Sequence, residues 1–314
     1  MSANGIVRKL KKYLCEPRRL MLLLLSTKPA RLLPDKAFLK ARYRLTFGKK
    51  LDLDEPASFS EKLQWLKLYD RKPEYTRMVD KYEAKEYVAD IVGDEYIIPT
   101  LGVWESFDEI DFSALPEAFV LKCTHDSGGL VMCRDKSAFD EEAARKKIEK
   151  CMKNNYFWHC REWPYKDVHP RIIAEQYMED ESLGAGSDCR GLTDYKFFFF
   201  NGEPKLLYVS KGLEDHATAG ISFYDMDMNE MPYHRSDFKP FHNAVLPDNY
   251  SEMKEIACRI ADSIDSDFVR IDMYSILGRT YFSEITFSPC GGMIPFEPVS
   301  ADRDVGALLT LSKA

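Results

Sequence analysis

Apolar and polar side chains alternate with a period of two along FVRIDMYSI (268–276) and RTYFSEITF (279–287), which marks two strands turned at Leu277-Gly278. DYKFFFFNGEPKLLYVS (194–210) predicts a second hairpin, turned at Asn201-Gly202, and AFVLKCTHDSGGLVMC (118–133) a third around a glycine-bearing turn. RIIAEQYME (171–179) reads as a strand running into the polar stretch EDESLGAGSDCRG, which has the composition of a mobile loop. YIIPTLGVW (96–104) reads as a strand broken by Pro99. Helical spacing governs four other segments. SFSEKLQWLKLYD (58–70) opens with a Ser/Glu capping-box pattern, and VDKYEAKEYVADIVG (79–93) stops at Gly93. DEEAARKKIEKCMKNNY (140–156) and SEMKEIACRIADSI (251–264) complete the set. Antiparallel hairpins interleaved with helices predict an α+β fold rather than a doubly wound parallel sheet.

A chain of 314 residues holds about two domains. The expected boundaries are a basic amphipathic arm at 1–50, an N-terminal α/β region at 51–115, a lid subdomain at 116–178 and a C-terminal subdomain at 179–314. Charge supports the first of these. Residues 1–50 carry 14 Lys and Arg against 2 Asp and Glu, on a chain whose net charge is −7. The arm's apolar run, Leu20–Leu25, is too short to span a bilayer and lacks the cleavage site of a signal peptide. Two readings fit it: a helical hairpin packed on the body, or a surface that meets anionic lipid or an anionic polymer. Nucleic acid is disfavoured, because no aromatic-interleaved basic stripe is present. The eight cysteines are scattered without a CxxC pair, which speaks for free thiols in a reducing cytoplasm and against a zinc ribbon.

Candidate chemistry begins with Glu284, a lone acid inside an apolar strand. Alternation puts Arg270 and Asp272 on one strand face and Glu284 and Thr286 on another, and the short turn brings Asp272 near Glu284. Facing carboxylates repel unless a divalent cation bridges them, or unless arginine joins them in a buried ion-pair network. Both readings stand. The Ser288-Pro289-Cys290-Gly291-Gly292 turn beside them is small enough for a substrate to approach its backbone. In LKCTHDSGG, Lys122 precedes a turn whose amides, with Thr124, Ser127, Gly128 and Gly129, make a phosphate cradle or a plain hairpin. His125 there reads as a proton carrier or as a solvated turn residue. Glu175, Gln176, Tyr177 and Met178 form a strand end, with Glu179 and Asp180 just beyond it.

SFSEKLQWLKLYDR, VDKYEAKEYV, FVLKCTHDSGG, DYKFFFFNG, FVRIDMY and FSEITFSPCGG, in that order, resemble the TupA-like ATP-grasp proteins of bacterial surface-polysaccharide clusters. The likeness covers roughly residues 35 to 311. It implies an ATP-grasp fold, in which the nucleotide is held between two α+β subdomains, preceded here by the basic arm. It further implies that Lys81 and Lys122 hold the phosphates, with the Thr124–Gly129 turn closing over them. Within the strand end 175–178, Gln176 and Met178 would read adenine, and Glu179 or Asp180 the ribose. Asp272 and Glu284 would carry magnesium, with Thr286 standing where an asparagine ligand is usual. Arg270 would stabilise an oxyanion, and Lys196 would contact phosphate or a substrate carboxylate. The implied cofactors are ATP and magnesium, and the implied partners a carboxylic acid and an amine. The implied setting is the cytoplasm, at the inner membrane face where lipid-linked glycans are built. Two other classes remain: a glycosyltransferase, for which Asp225-Met226-Asp227 is the DxD candidate, and a non-catalytic binding protein of the same fold.

Overall fold

The computed structural model describes residues 17–179, 192–211, 219–240, 242 and 244–312. The stretch expected to be a mobile loop, with Asp180 in it, lies outside the described residues. So does the front of the basic arm.

Two antiparallel sheets organise the body. The smaller has the order β1-β4-β2-β3, from Thr100–Trp104 (β1), Phe119–Cys123 (β2), Leu130–Cys133 (β3) and Ile172–Gln176 (β4). Because β1 pairs with β4, the boundary expected at 115/116 falls between two strands of a single sheet. The larger sheet has the order β10-β9-β5-β6-β7. Its strands are Asp194–Phe200 (β5), Glu203–Lys211 (β6), Gly220–Tyr224 (β7), Phe268–Ile276 (β9) and Arg279–Thr286 (β10). Both of its tight hairpins turn where predicted. Asn201 and Gly202 have φ of 51° and 83°, and Leu277 and Gly278 have 52° and 74°, as two-residue primed turns require. A short pair, His234–Arg235 (β8) with Phe296–Glu297 (β11), sits beside it.

Four consecutive phenylalanines in β5 belong to a strand buried on both faces. Phe197 and Phe199 enter a core with Ile271 and Met273, covered by Glu83–Val92 and Tyr250–Asp262. Phe198 and Phe200 point the other way, toward Phe59, Phe223, Phe268 and Phe296. A third core lies under the smaller sheet, where Glu141–Met152 packs Ala144 and Ile148 on Phe119, Leu121 and Ile172.

The helix Phe59–Tyr69 carries the predicted capping box: Glu61 N–H donates to Ser58 Oγ at 3.3 Å and Ser58 N–H to Glu61 Oε2 at 3.0 Å. Its job is visible at the far end. Gln64 Nε2 donates to Gly291 and Gly292 O, and Lys67 Nζ to Gly291 and Cys160 O, so one helix face pins the 288–292 turn. The glycines of that turn are required by its own geometry. Both have φ of 63°, and a Cβ on Gly291 would meet Cys160 Sγ at 2.7 Å, while one on Gly292 would meet Leu63 Cβ at 2.9 Å.

The described part of the arm is a helical hairpin, Pro17–Leu25 against Asp35–Phe47. Phe38, Leu39 and Tyr43 anchor the second helix to the body. The first leaves Met21, Leu23 and Leu24 exposed, with Leu32 and Leu33 beyond it. Among the described residues no helix is long and apolar enough to cross a membrane.

Candidate active site

One face of the larger sheet is apolar at one end and charged at the other. Along β5 the face reads Asp194, Lys196, Phe198, Phe200, and register places Lys196 opposite Asp272 and Asp272 opposite Glu284. A bulge at Ser283 in β10 restores that alignment after the turn. The result is a continuous chain of charge. Arg270 Nε and Nη2 each donate to Asp272, at 2.6 Å, and Lys196 Nζ donates to Asp272 Oδ2 at 2.7 Å. Lys196 also reaches Asp194 at 3.0 Å, whose other oxygen accepts from Ser210. Arg270 Nη2 further donates to Glu284 Oε1 at 2.8 Å and to Thr286 Oγ1 at 3.0 Å. The five residues expected here, Arg270, Asp272, Lys196, Glu284 and Thr286, therefore meet in one cluster. Asp194 was missed in the sequence, although it lies two residues before Lys196 and so on the same face.

The two carboxylates differ. Asp272 is fully buried, and burial pushes its carboxyl up against the pull of Arg270 and Lys196. Glu284 keeps 40% of its side chain exposed in the cleft. Desolvation would raise it, but Arg270, Lys196 and Lys81 prevail and hold it at about 2. Lys81 belongs to a second cluster.

That second cluster sits at the smaller sheet. Glu175, on β4 and 4% exposed, is gripped by Lys122 Nζ at 2.5 Å and by Lys85 Nζ. Lys85 also donates to Ile98 O at 2.7 Å. It lies on the helix Glu83–Val92, which begins just after Lys81, and nothing local in the sequence marks it. Lys81 itself donates to Asp126 O in the lid turn and, through its backbone, to Thr124 O. Within that turn the roles divide. Thr124 is buried, its hydroxyl bonded to His169 O and to Arg171 N–H, so it braces the turn. Ser127 and Gly128 are exposed at the tip, and Gly129 N–H donates to Asp126 Oδ1 at 3.1 Å. His125 is not solvated: it is 2% exposed, with Nε2 3.0 Å from Asn154 O.

Ile98, Ile276 and Tyr281 form a small buried apolar cluster, onto which Met178 and Tyr274 pack. Gln176 and Glu179 are exposed, and Tyr177 OH accepts from Arg134 Nε at 2.9 Å. The DxD candidate has another use: Asp225 accepts from Asp227 N–H, Asn229 N–H and Asn229 Nδ2, closing an exposed turn on itself.

Glu175 gives a pH signature. Burial would raise its carboxyl, but Lys122 and Lys85 lower it from 4.5 to about 2. A depressed acid stabilises the fold fully above its unfolded value and loses that contribution as pH falls through the folded one. Glu175→Gln should be less stable than wild type by about 2 kcal/mol at pH 7. The gap should close between about pH 4.5 and pH 2 in urea unfolding. A gap that stays constant with pH would mean that the ion pairs contribute nothing.

Magnesium passes a test of fit. Hard oxygen donors are present, and Glu284 Oε2 has no partner among the described residues. Asp272 Oδ1 accepts only from Arg270 Nε and keeps a lone pair. Among the described residues no group of three His, Cys, Asp or Glu could form a closed cage. A magnesium would rest on Glu284 and Asp272, near Thr286, and take its other ligands from phosphate and water.

A sequence model of the family described as TupA-like ATPgrasp matches residues 61–310. No curated protein matches the chain. Among solved structures, D-alanine–D-alanine ligase of Bacillus anthracis in complex with ATP is 13% identical, over 67% of this chain and 55% of that one, with a TM-score of 0.38. N5-carboxyaminoimidazole synthetase of Staphylococcus aureus with ADP is 15% identical, over 81% and 56%, with a TM-score of 0.41. A RimK domain ATP-grasp protein of Sphaerobacter thermophilus is 13% identical, over 75% and 69%, with a TM-score of 0.39. The chain spans about half the length of the first of these.

Proposed function

From a chain that belongs to the TupA-like ATP-grasp family and has its α+β fold, we infer an ATP- and magnesium-dependent carboxylate–amine ligase working through an acyl phosphate. The observation that carries this reading is the pair of charged clusters, Lys196, Arg270, Asp272 and Glu284 on the larger sheet and Lys85, Lys122 and Glu175 at the smaller. In the first step a substrate carboxylate oxygen attacks the γ-phosphorus of ATP, and ADP leaves. An amine then attacks the acyl carbon, phosphate leaves, and the amine gives up a proton to water. Such chemistry needs charge neutralisation and alignment more than a protein nucleophile. Lys122, Lys85 and Lys81 would bind the phosphates, and Met178 with its apolar neighbours would seat the base. Arg270 would hold the carboxylate under attack, and Lys196 fixes Asp272 behind it. Magnesium, when bound, would neutralise charge on the transferring phosphoryl group.

The setting proposed is surface-polysaccharide assembly, with the product amide on a glycan. Exposed Met21, Leu23, Leu24, Leu32 and Leu33 beside Arg18, Lys28 and Arg31 support contact with an anionic membrane face. The test is ADP and phosphate release with paired acids and amines, run with and without phosphatidylglycerol vesicles. ADP release that needs both an acid and an amine is expected, with the protein sedimenting on the vesicles. AMP and pyrophosphate would replace the acyl phosphate by an adenylate. Cleavage of a nucleotide sugar with no use of ATP would make the protein a transferase.

A further inference from the structure

Beside the charged cluster lies a small pocket of ≈ 40 Å³, open to the surface. Arg270 and Arg235 line it, with the Cys290 turn at its mouth and the apolar end of the same sheet face as its wall. We propose that this pocket takes the carboxylate substrate, and that this acid bears a compact apolar or aromatic group, the glycan supplying the amine. The inference rests on the ligase reading and assigns its acyl donor.

Its polar groups are few and gathered together. Arg270 spends Nε and Nη2 on Asp272, Glu284 and Thr286, which leaves Nη1 without a partner among the described residues. Arg235 is held by Asp237 through Nε and Nη2, and its Nη1 donates to Tyr208 OH at 3.0 Å. Accepting that bond turns the Tyr208 hydroxyl into a donor for something else. One guanidinium nitrogen and one phenol hydrogen make a two-point site for a carboxylate. The position also suits the chemistry, since Arg270 joins this pocket to Glu284 and so to the site of phosphoryl transfer.

The remaining wall is Phe59, Leu63, Phe198, Phe223 and Phe296, all under 7% exposed and packed at ring spacings of 5.7–6.5 Å. A sugar acid would bring several ring hydroxyls against these carbons. Each hydroxyl buried without a partner costs about 1–3 kcal/mol, whereas an apolar group gains from the same burial. Such a wall discriminates by polarity, and against a uronic acid.

Cys290, an exposed thiol at the mouth, reports occupancy directly. The experiment follows alkylation of Cys290 by N-ethylmaleimide, using peptide mass spectrometry, in the presence of ADP and magnesium. Phenylacetate, isovalerate and glucuronate are titrated separately, and ADP release is measured with the same acids plus glucosamine. The apolar acids should slow alkylation at least fivefold and support turnover, and glucuronate should do neither. Tyr208→Phe should raise the half-protecting concentration about tenfold, with thermal unfolding as the check on its fold. Ile294→Gln, at a half-buried wall position, should weaken protection by the apolar acids alone. Protection and turnover by glucuronate only would overturn the inference and leave the ligase reading intact. Failure of every acid to protect Cys290 would also overturn it. Protection by apolar acids without ADP release from any pair would keep the pocket's preference and sink the ligase reading.

Discussion

Glu284→Ala is expected to lower ADP release by about 10²–10³-fold, the scale of losing one group that stabilises charge in the transition state. Stability should move by less than about 1 kcal/mol. The two halves of that expectation come from one geometry. Glu284 is the half-exposed end of the charge chain, and Arg270 retains Asp272 and Thr286 when it goes. Little is then left buried and unpaired. Its value to the protein must lie in the cleft, where a carboxylate held ionised at about 2 stays charged at any working pH. Glu284→Gln, which keeps the shape and loses the charge, should need several-fold more magnesium for half-maximal rate. Activity within threefold of wild type in Glu284→Ala, or an unchanged magnesium requirement in Glu284→Gln, would remove Glu284 from the reaction.

How far this could be read from the chain depended on whether the information was local. Strand period placed Arg270 with Asp272 and Glu284 with Thr286, and the tight turn at Leu277-Gly278 laid the two strands side by side. Two things were hidden. The Ser283 bulge, which sets Asp272 directly opposite Glu284, leaves no mark in a sequence of alternating residues. Lys85 looked like any exposed helix lysine until the folded chain carried it to Glu175, some ninety positions away. Of the two readings of the carboxylates, the structure shows the ion-pair network, and the metal belongs to the proposed function. Arg270 lies between the carboxylates and binds both, yet Glu284 Oε2 still faces the cleft. At the glycine turn the sequence could not show that Cys160 and Leu63 lie against Gly291 and Gly292 and already require small residues there.

Asp272→Ala tests which of those roles the network serves. Its removal leaves Arg270 Nε and Lys196 Nζ buried without their main acceptor, and breaking a buried pair in this way costs about 3–5 kcal/mol. A fall of that size in unfolding free energy, with the folded fraction inactive, is the expected result. Replacing the whole group separates fold from function. In the triple variant Lys196→Met, Arg270→Leu, Asp272→Leu the three central charges go together; half-exposed Glu284 loses its cation, and buried Asp194 loses Lys196 but keeps the Ser210 hydroxyl. Buried ion pairs exchanged for apolar side chains of similar volume are often neutral or stabilising. The triple variant should therefore recover most of the stability lost in Asp272→Ala while turning over no ATP. Were it less stable than Asp272→Ala, the network would be holding the sheet together and its position at the cleft would be incidental. Recovery of the fold without the activity would mean that the chain keeps two cations and an acid inside a phenylalanine-rich sheet for what they do to a phosphate, at some cost to its own stability.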